Sequence, residues 1–286
     1  MLHHRIKVAQ AFLSAIAEGG RGASGTPYPQ QPEKALKLYE FEGSPFCRRV
    51  REVMTVLNLD YEVYPCPKGG QRYRQEMKQL GGKKQFPFLV DENTGDQLYE
   101  SQAIIHHLFR HYGKTGTTPK KYARYPKIPV AAFAGTILNG ARGVWVNKNI
   151  LNREAPQQLL ELWGFEASPY TRIVRGVLTE LELPFKFHNA AKERWQDQGL
   201  AALRLKPGKY VPLAGGKRER ILTVMGDNLQ VPYLVDPNTG VKMFESARNT
   251  RWKQHLIIPK LGHKGFMQKV MQDERSEERR VGKECL

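Results

Sequence analysis

Leu38 to Arg51 reads LYEFEGSPFCRRVR, and Leu162 to Arg175 reads LWGFEASPYTRIVR. Eight of the 14 positions are identical. A second block recurs further on, FPFLVDENTG at 86–95 and VPYLVDPNTG at 231–240, with seven of ten positions identical. Glu100-Ser101 then recurs as Glu245-Ser246. The first blocks lie 124 residues apart and the second blocks 145, so the second copy carries 21 extra residues, which the spacing puts within 190–228. Two copies of this size predict two domains of one fold. A solenoid would stack more and shorter repeats.

Each copy carries the same punctuation. A short apolar strand (Leu38–Phe41; Leu162–Phe165) runs into Gly43 or Ala167 and then Ser-Pro. Serine is a favoured helix N-cap and proline a favoured first helical residue, so a helix is predicted to start there. One apolar face comprises Phe46, Val50, Val53, Met54 and Leu57, and the other Tyr170, Ile173, Val174, Val177, Leu178 and Leu181. Both follow helical i, i+4, i+7, i+8 spacing. A second strand (61–64; 185–188) completes a parallel βαβ unit. A third strand (88–91; 233–236) turns at Asn-Thr-Gly into an antiparallel fourth (97–99; 241–244). In the first copy a helix with Ile104, Ile105, Leu108 and Phe109 closes the unit. The second copy's ESARNTRWKQHL is poorer in apolar positions.

Composition limits the function classes. Among 286 residues, 40% are hydrophobic, enough for real cores, and three cysteines exclude a disulfide-built scaffold. The longest uncharged apolar stretch inside the chain, Ile128 to Ala141, has 14 residues and contains Asn139, too short and polar for a membrane span. Forty-five basic and 28 acidic residues give +17. Residues 111–160 hold eight Lys/Arg and one Glu, and the rest of the excess is scattered without a run of five like charges. That pattern lacks the patch a nucleic-acid binder needs, so no nucleic-acid partner is expected. There is no G-x4-G-K-[ST] phosphate loop. No metal site is expected either: His106 and His107 are adjacent on one helix and face different sides, and Cys47 and Cys66 have no nearby histidine pair.

The order β-α-β, helix, then proline-led β-β-α resembles the thioredoxin fold. Ser44-Pro-Phe-Cys-Arg-Arg-Val-Arg51 resembles a glutaredoxin redox motif with serine in place of the first cysteine, and also the start of plant tau-type glutathione transferases. The chain over residues 36–256 is similar to the tandem glutathione S-transferase N-terminal/glutaredoxin-like proteins of plant and algal plastids. The resemblance implies an α/β fold class: two tandem thioredoxin-like domains, each with a mixed four-stranded sheet, and no full C-terminal helical transferase domain. It implies a chloroplast location, with no transit peptide visible. The domains are expected at 36–112 and 159–258, after an N-terminal helix and linker (1–35) and joined by a basic linker with an apolar helix (113–158). A tail at 259–286 follows. Residues 275–286 resemble a translated sequencing adapter and are expected to be foreign to the fold.

What the resemblance implies about chemistry centres on glutathione as ligand. Ser44 sits at a helix start, where free N–H groups and the helix dipole favour a bound thiolate. The bland alternative is a simple cap. Ser168 is its counterpart. Cys47, on the first helical turn, is the second cysteine of a glutaredoxin motif, and Arg48 and Arg49 are expected to lower its pKa. Cys66 follows the second strand, on the same sheet edge, and makes a candidate redox pair with Cys47. Phe86-Pro87 and Val231-Pro232 are expected to carry cis bonds whose preceding residue pairs with the ligand backbone. Glu100 and Ser101, and Glu245 and Ser246 in the second copy, are expected to hold the γ-glutamyl end. Ser44 and Cys47 are thus the candidate catalytic residues of a glutathione-dependent thiol-disulfide oxidoreductase or transferase-like enzyme, with a protein disulfide as a further candidate partner. The alternative is a non-catalytic glutathione- or protein-binding module, favoured by loss of the first cysteine in both copies.

Overall fold

The computed structural model describes residues 2–17, 19–123, 130–148, 155–197, 210–226 and 229–244. Glu245, Ser246, the closing helix expected after them and the tail lie outside the described residues. A leading helix, α1 (Leu2–Ala17), precedes the first half. That half runs β1 (Leu36–Glu40), α2 (Pro45–Val56), β2 (Tyr61–Pro65), α3 (Tyr73–Gly81), β3 (Phe88–Asp91), β4 (Asp96–Tyr99) and α4 (Ser101–Tyr112). Two linker helices follow, α5 (Lys120–Ala123) and α6 (Val130–Leu138). The second half runs β5 (Leu160–Gly164), α7 (Pro169–Glu180), β6 (Phe185–Asn189), α8 (Lys217–Met225), β7 (Tyr233–Asp236) and β8 (Val241–Phe244). The first strand of each half starts two residues earlier than the apolar run suggested, because Leu36 and Leu160 already pair with Tyr61 and Phe185.

The caps and turns follow local chemistry. Ser44 and Ser168 cap α2 and α7, accepting from the backbone N–H of Cys47 and Thr171 at 3.3 and 3.2 Å, with Pro45 and Pro169 at the first helical position. At the β3–β4 turn, Asp91 Oδ1 accepts from the Asn93 N–H and side-chain amide, and Gly95 takes φ +78°. Asp236, Asn238 and Gly240 repeat the arrangement.

The two halves share one eight-stranded mixed sheet in the order β4-β3-β1-β2-β6-β5-β7-β8. They join where β2 runs antiparallel to β6, with Tyr61 opposite Phe187, Glu62 opposite Lys186 and Val63 opposite Phe185. Glu62 and Lys186 are 124 residues apart, the offset of the repeat, so equivalent residues face each other across a local two-fold axis. One apolar core spans both halves beneath α2, α4 and α7, including Val50, Met54, Ile104, Val174, Leu178 and Phe187. On the other face each half has its own smaller cluster: Tyr39, Cys66, Tyr73, Met77 and Phe88 in the first, and Trp163, Ala190, Ile221, Met225 and Tyr233 in the second. Helices on both faces of a mixed sheet, repeated twice, are consistent with two thioredoxin-like units.

The repeat also reaches further upstream than the two motif blocks. Ala11–Gly22 (AFLSAIAEGGRG) and Ala132–Gly143 (AFAGTILNGARG) share six of 12 positions. Each stretch holds the end of a helix and a glycine strap. The Gly22 carbonyl accepts from Ala167 N–H at 3.1 Å, and the Gly143 carbonyl accepts from Gly43 N–H at 3.3 Å. Both glycines have positive φ (+77° and +70°), and a Cβ on either would lie 2.7 or 2.6 Å from the Cβ of Glu166 or Glu42. The leading segment therefore closes over the second half, while the linker closes over the first.

Candidate functional site

The seam between α2 and α7 is charged and buried. Arg51 and Arg175 are each 1% exposed, and Glu166 is fully buried. Each acidic residue that precedes a Ser-Pro cap is held by arginines of the other half. Glu166 meets Arg48 Nη1 at 3.0 Å and Arg51 Nε at 3.0 Å. Glu42 meets Arg175 Nε at 2.8 Å and Arg172 Nε at 3.7 Å. Arg175 also reaches Glu166 at 2.7 Å, and Arg51 binds Glu40. Burial alone would raise the Glu166 carboxyl, but Arg175, Arg51 and Arg48 outweigh it and bring the pKa down to about 2. Glu40 is pushed up to about 7, because burial and the neighbouring Glu42 and Glu166 exceed the pull of Arg51. Buried pairs of this kind add little net stability over apolar packing, yet breaking one leaves an uncompensated charge.

This seam accounts for the arginines of the repeated S-P-x-x-R-x-x-R pattern. Arg48 was expected to lower the Cys47 pKa, but its guanidinium faces Glu166 and Glu52. The Cys47 thiol moves the other way. Burial pushes it up to about 12, Glu40 adds to the rise, and the bond from Ser44 and the charge of Arg51 only partly offset them. Cys66 is also buried, and its thiol lies well above the usual range for the same leading reason. Both are free thiols. They flank the end of β1, where the Cys66 N–H donates to the Glu40 carbonyl at 2.6 Å.

Ser44 itself is 3% exposed and Ser168 2%. The space at the Ser44 tip is a cavity of about 10 Å3, lined among others by Glu42, Gly43, Ser44, Thr136, Asn139 and Arg172. That is about the room of one water molecule. The lid is the linker. Thr136 Oγ1 on α6 donates to the Gly43 carbonyl at 3.1 Å, and a Cβ on Gly43 would lie 2.2 Å from Val144 Cγ2. The leading segment closes on the second tip, with Arg172 bonded to Ser14 of α1 and the Ala167 N–H donating to the Gly22 carbonyl at 3.1 Å.

The remaining candidates lie outside that seal. The Phe86–Pro87 and Val231–Pro232 bonds are cis. Phe86 sits edge-on to Phe41 at 6.1 Å and under the Arg74 guanidinium at 4.7 Å. Its own backbone groups make no hydrogen bond among the described residues. Glu100 is exposed, has φ +65° and takes a hydrogen bond from Gln85. It precedes α4 without capping it by its side chain, so first-turn N–H groups of α4 have no side-chain cap, and Ser101 beside them is buried. The first-half candidates thus divide into a sealed pair, Ser44 and Cys47, and an outer set, Phe86, Glu100 and Ser101. A wider groove of about 420 Å3 is lined by Gln75, Lys78, Gln79 and Lys84, none of them from the α2 tip.

The adjacent histidines face different sides of α4, as the sequence implies. His106 is exposed and bonds Thr118, whereas His107 is buried against Asp91 at 2.8 Å. The relevant partner of His107 on the helix is His111, one turn on, with ring centroids 4.5 Å apart. The i, i+4 spacing of His107 and His111 is the sequence signal for this pair. Among the described residues no helix is long and apolar enough to cross a membrane.

Residues 38–117 match the family model described as glutathione S-transferase, N-terminal domain. No curated protein and no solved structure matches the chain. The matched segment contains β1 to α4, the cis Phe86–Pro87 bond and the Glu100-Ser101 helix start. Residues 38–117 are therefore a thioredoxin-like domain of the glutathione S-transferase N-terminal type.

Proposed function

We propose that the first half binds glutathione without turning it over. The carrying observation is the contrast between a sealed helix tip and an open flank. Ser44 and Cys47 are buried, the cavity there has about 10 Å3, and the Cys47 thiol is pushed up to about 12. A nucleophilic or resolving cysteine needs the opposite setting, exposed and with a lowered pKa. Beside the seal, the Phe86 backbone is unpaired, Glu100 is exposed, and the start of α4 has no side-chain cap. Those groups suit the peptide backbone and the γ-glutamyl end of glutathione: an added-strand contact at Phe86, a carboxylate at the α4 N–H groups, and the ligand ammonium at Glu100.

The chain then acts as a ligand-dependent binding module built from two joined thioredoxin-like units. The rival reading is a glutathione-dependent oxidoreductase using Ser44 and Cys47, with Cys66 as resolving thiol. Calorimetric titration of glutathione into the full chain, run beside a mixed-disulfide reduction assay, separates the two. The module reading expects saturable binding that Glu100→Ala weakens, with no turnover. Turnover that disappears in Cys47→Ser would establish the enzyme reading, and absence of glutathione binding would remove both.

A further inference from the structure

We propose that Asp96, His107 and His111 form a binding site for a zinc-type divalent metal at the outer rim of the first half. One nitrogen or oxygen from each of the three lies within 4.8 Å of the others. His107 and His111 stand one turn apart on α4 and share a face of the helix. Asp96 opens β4, the outermost strand of the sheet on that side, and its side chain is 47% exposed, which leaves a path for an ion to enter.

The orientation of His107 carries the argument. Its Nε2 is 2.8 Å from Asp91 Oδ2. Asp91 is fully buried and is itself fixed by the Tyr112 hydroxyl at 2.7 Å and by Asn93. With Nε2 held by Asp91, the ring places Nδ1 on the side of Asp96, 3.5 Å from its Oδ2. An imidazole nitrogen and a carboxylate oxygen are both zinc-type ligand atoms. For metal–ligand bonds of about 2.0–2.1 Å, the edge of a tetrahedron is about 3.3 Å. The observed separation is close to that edge. A buried carboxylate fixing the far nitrogen of a ligating histidine is the usual outer support of a metal-bound imidazole.

Two imidazoles and one carboxylate suit zinc or cobalt better than calcium or magnesium, which take oxygen ligands. Three protein ligands leave a fourth position for water. In the second half the matching positions are Val241, Trp252 and Leu256, with only Asp236 retained in place of Asp91. The site thus belongs to the first half alone, where it would clasp α4 to the edge strand. It lies about 9 Å of helix from Ser101 (about 1.5 Å per residue) and does not depend on the glutathione reading.

The test is titration of cobalt(II) chloride into the full, tag-free chain, carrying His3→Ala and His4→Ala to silence the N-terminal pair. The expected result is one cobalt per chain with a visible d–d spectrum, no thiolate charge-transfer band, and displacement by zinc. Asp96→Asn and His111→Ala, both at accessible positions, should each weaken binding at least tenfold while circular dichroism is unchanged. Asp91→Asn should weaken it about 10–100-fold by freeing the His107 ring. The absence of a saturable cobalt spectrum would overturn the proposal. So would affinity unchanged by both Asp96→Asn and His111→Ala, which would make the cluster an ion pair only.

Discussion

The two halves agree in the ion pairs where they meet and differ in the buried residues around them. At the seam, Glu42, Ser44, Arg48 and Arg51 have exact counterparts in Glu166, Ser168, Arg172 and Arg175, and each carboxylate is held by arginines of the opposite half. Around that set the match ends: Cys47 becomes Thr171, Cys66 becomes Ala190, and Glu40, which Arg51 also binds, becomes Gly164. A reciprocal buried ion-pair interface needs the same residues on both sides of its axis. The repeated glutamates and arginines of the Ser-Pro block are therefore explained by assembly, whereas the repeated cis-prolines and the Glu100-Ser101 helix start lie outside the seam.

That comparison can be broken most forcefully at the arginines. Arg51→Met and Arg175→Met each strand buried carboxylates and should cost about 3–5 kcal/mol in urea unfolding. The two losses should be similar; a loss confined to one variant would show that a single half carries the seam. The next effect is in pH and exists in the first half only. The Glu40 pKa is raised from its ordinary 4.5 to about 7, so the folded state binds the proton more tightly than the unfolded chain. Stability from this group is full below about pH 4.5 and is lost as pH rises through about 7, by on the order of 3 kcal/mol. Glu40→Gln should flatten that limb of a stability–pH curve, and an unchanged slope would assign the effect elsewhere.

Smaller effects sharpen the symmetry. Gly143→Ala and Gly22→Ala force a side chain into positive φ and against Glu42 or Glu166, and each should cost about 1–3 kcal/mol. Gly143→Ala should also loosen the linker over Ser44, read as faster amide exchange at Gly43, while Gly22→Ala should leave Gly43 unchanged. Ser44→Ala and Ser168→Ala each remove a cap and should cost about 1 kcal/mol, by thermal unfolding. On the module reading Ser44→Ala leaves glutathione affinity unaltered; a large loss of affinity would return Ser44 to a ligand-binding role.

Much of the local structure was legible in the sequence. Ser-Pro announces the start of α2 and α7, Asn-Thr-Gly the two edge turns, and the apolar spacing the buried faces of Val50, Val53 and Met54, because each depends on neighbours within a turn or two. Phe46 and Tyr170, read as part of the same faces, are 36% and 40% exposed, since they stand on the first helical turn where the core thins out. The seam was not legible. Arg48 reads in the sequence as a partner of Cys47 next door, but its carboxylate on Glu166 is over 100 residues away and is set by the β2–β6 pairing. The repeated leader was missed because its six identities are interspersed with unlike pairs such as Ser14 and Gly135. Without it, nothing showed that the linker would close over Ser44.

Alkylation of the native chain at neutral pH, followed by peptide mass mapping, tests that seal most directly. The account predicts that the peptides carrying Cys47 and Cys66 stay unlabelled by iodoacetamide until urea unfolds the protein. Rapid native labelling of Cys47 would contradict it, and would place an accessible thiolate where a closed helix tip is described.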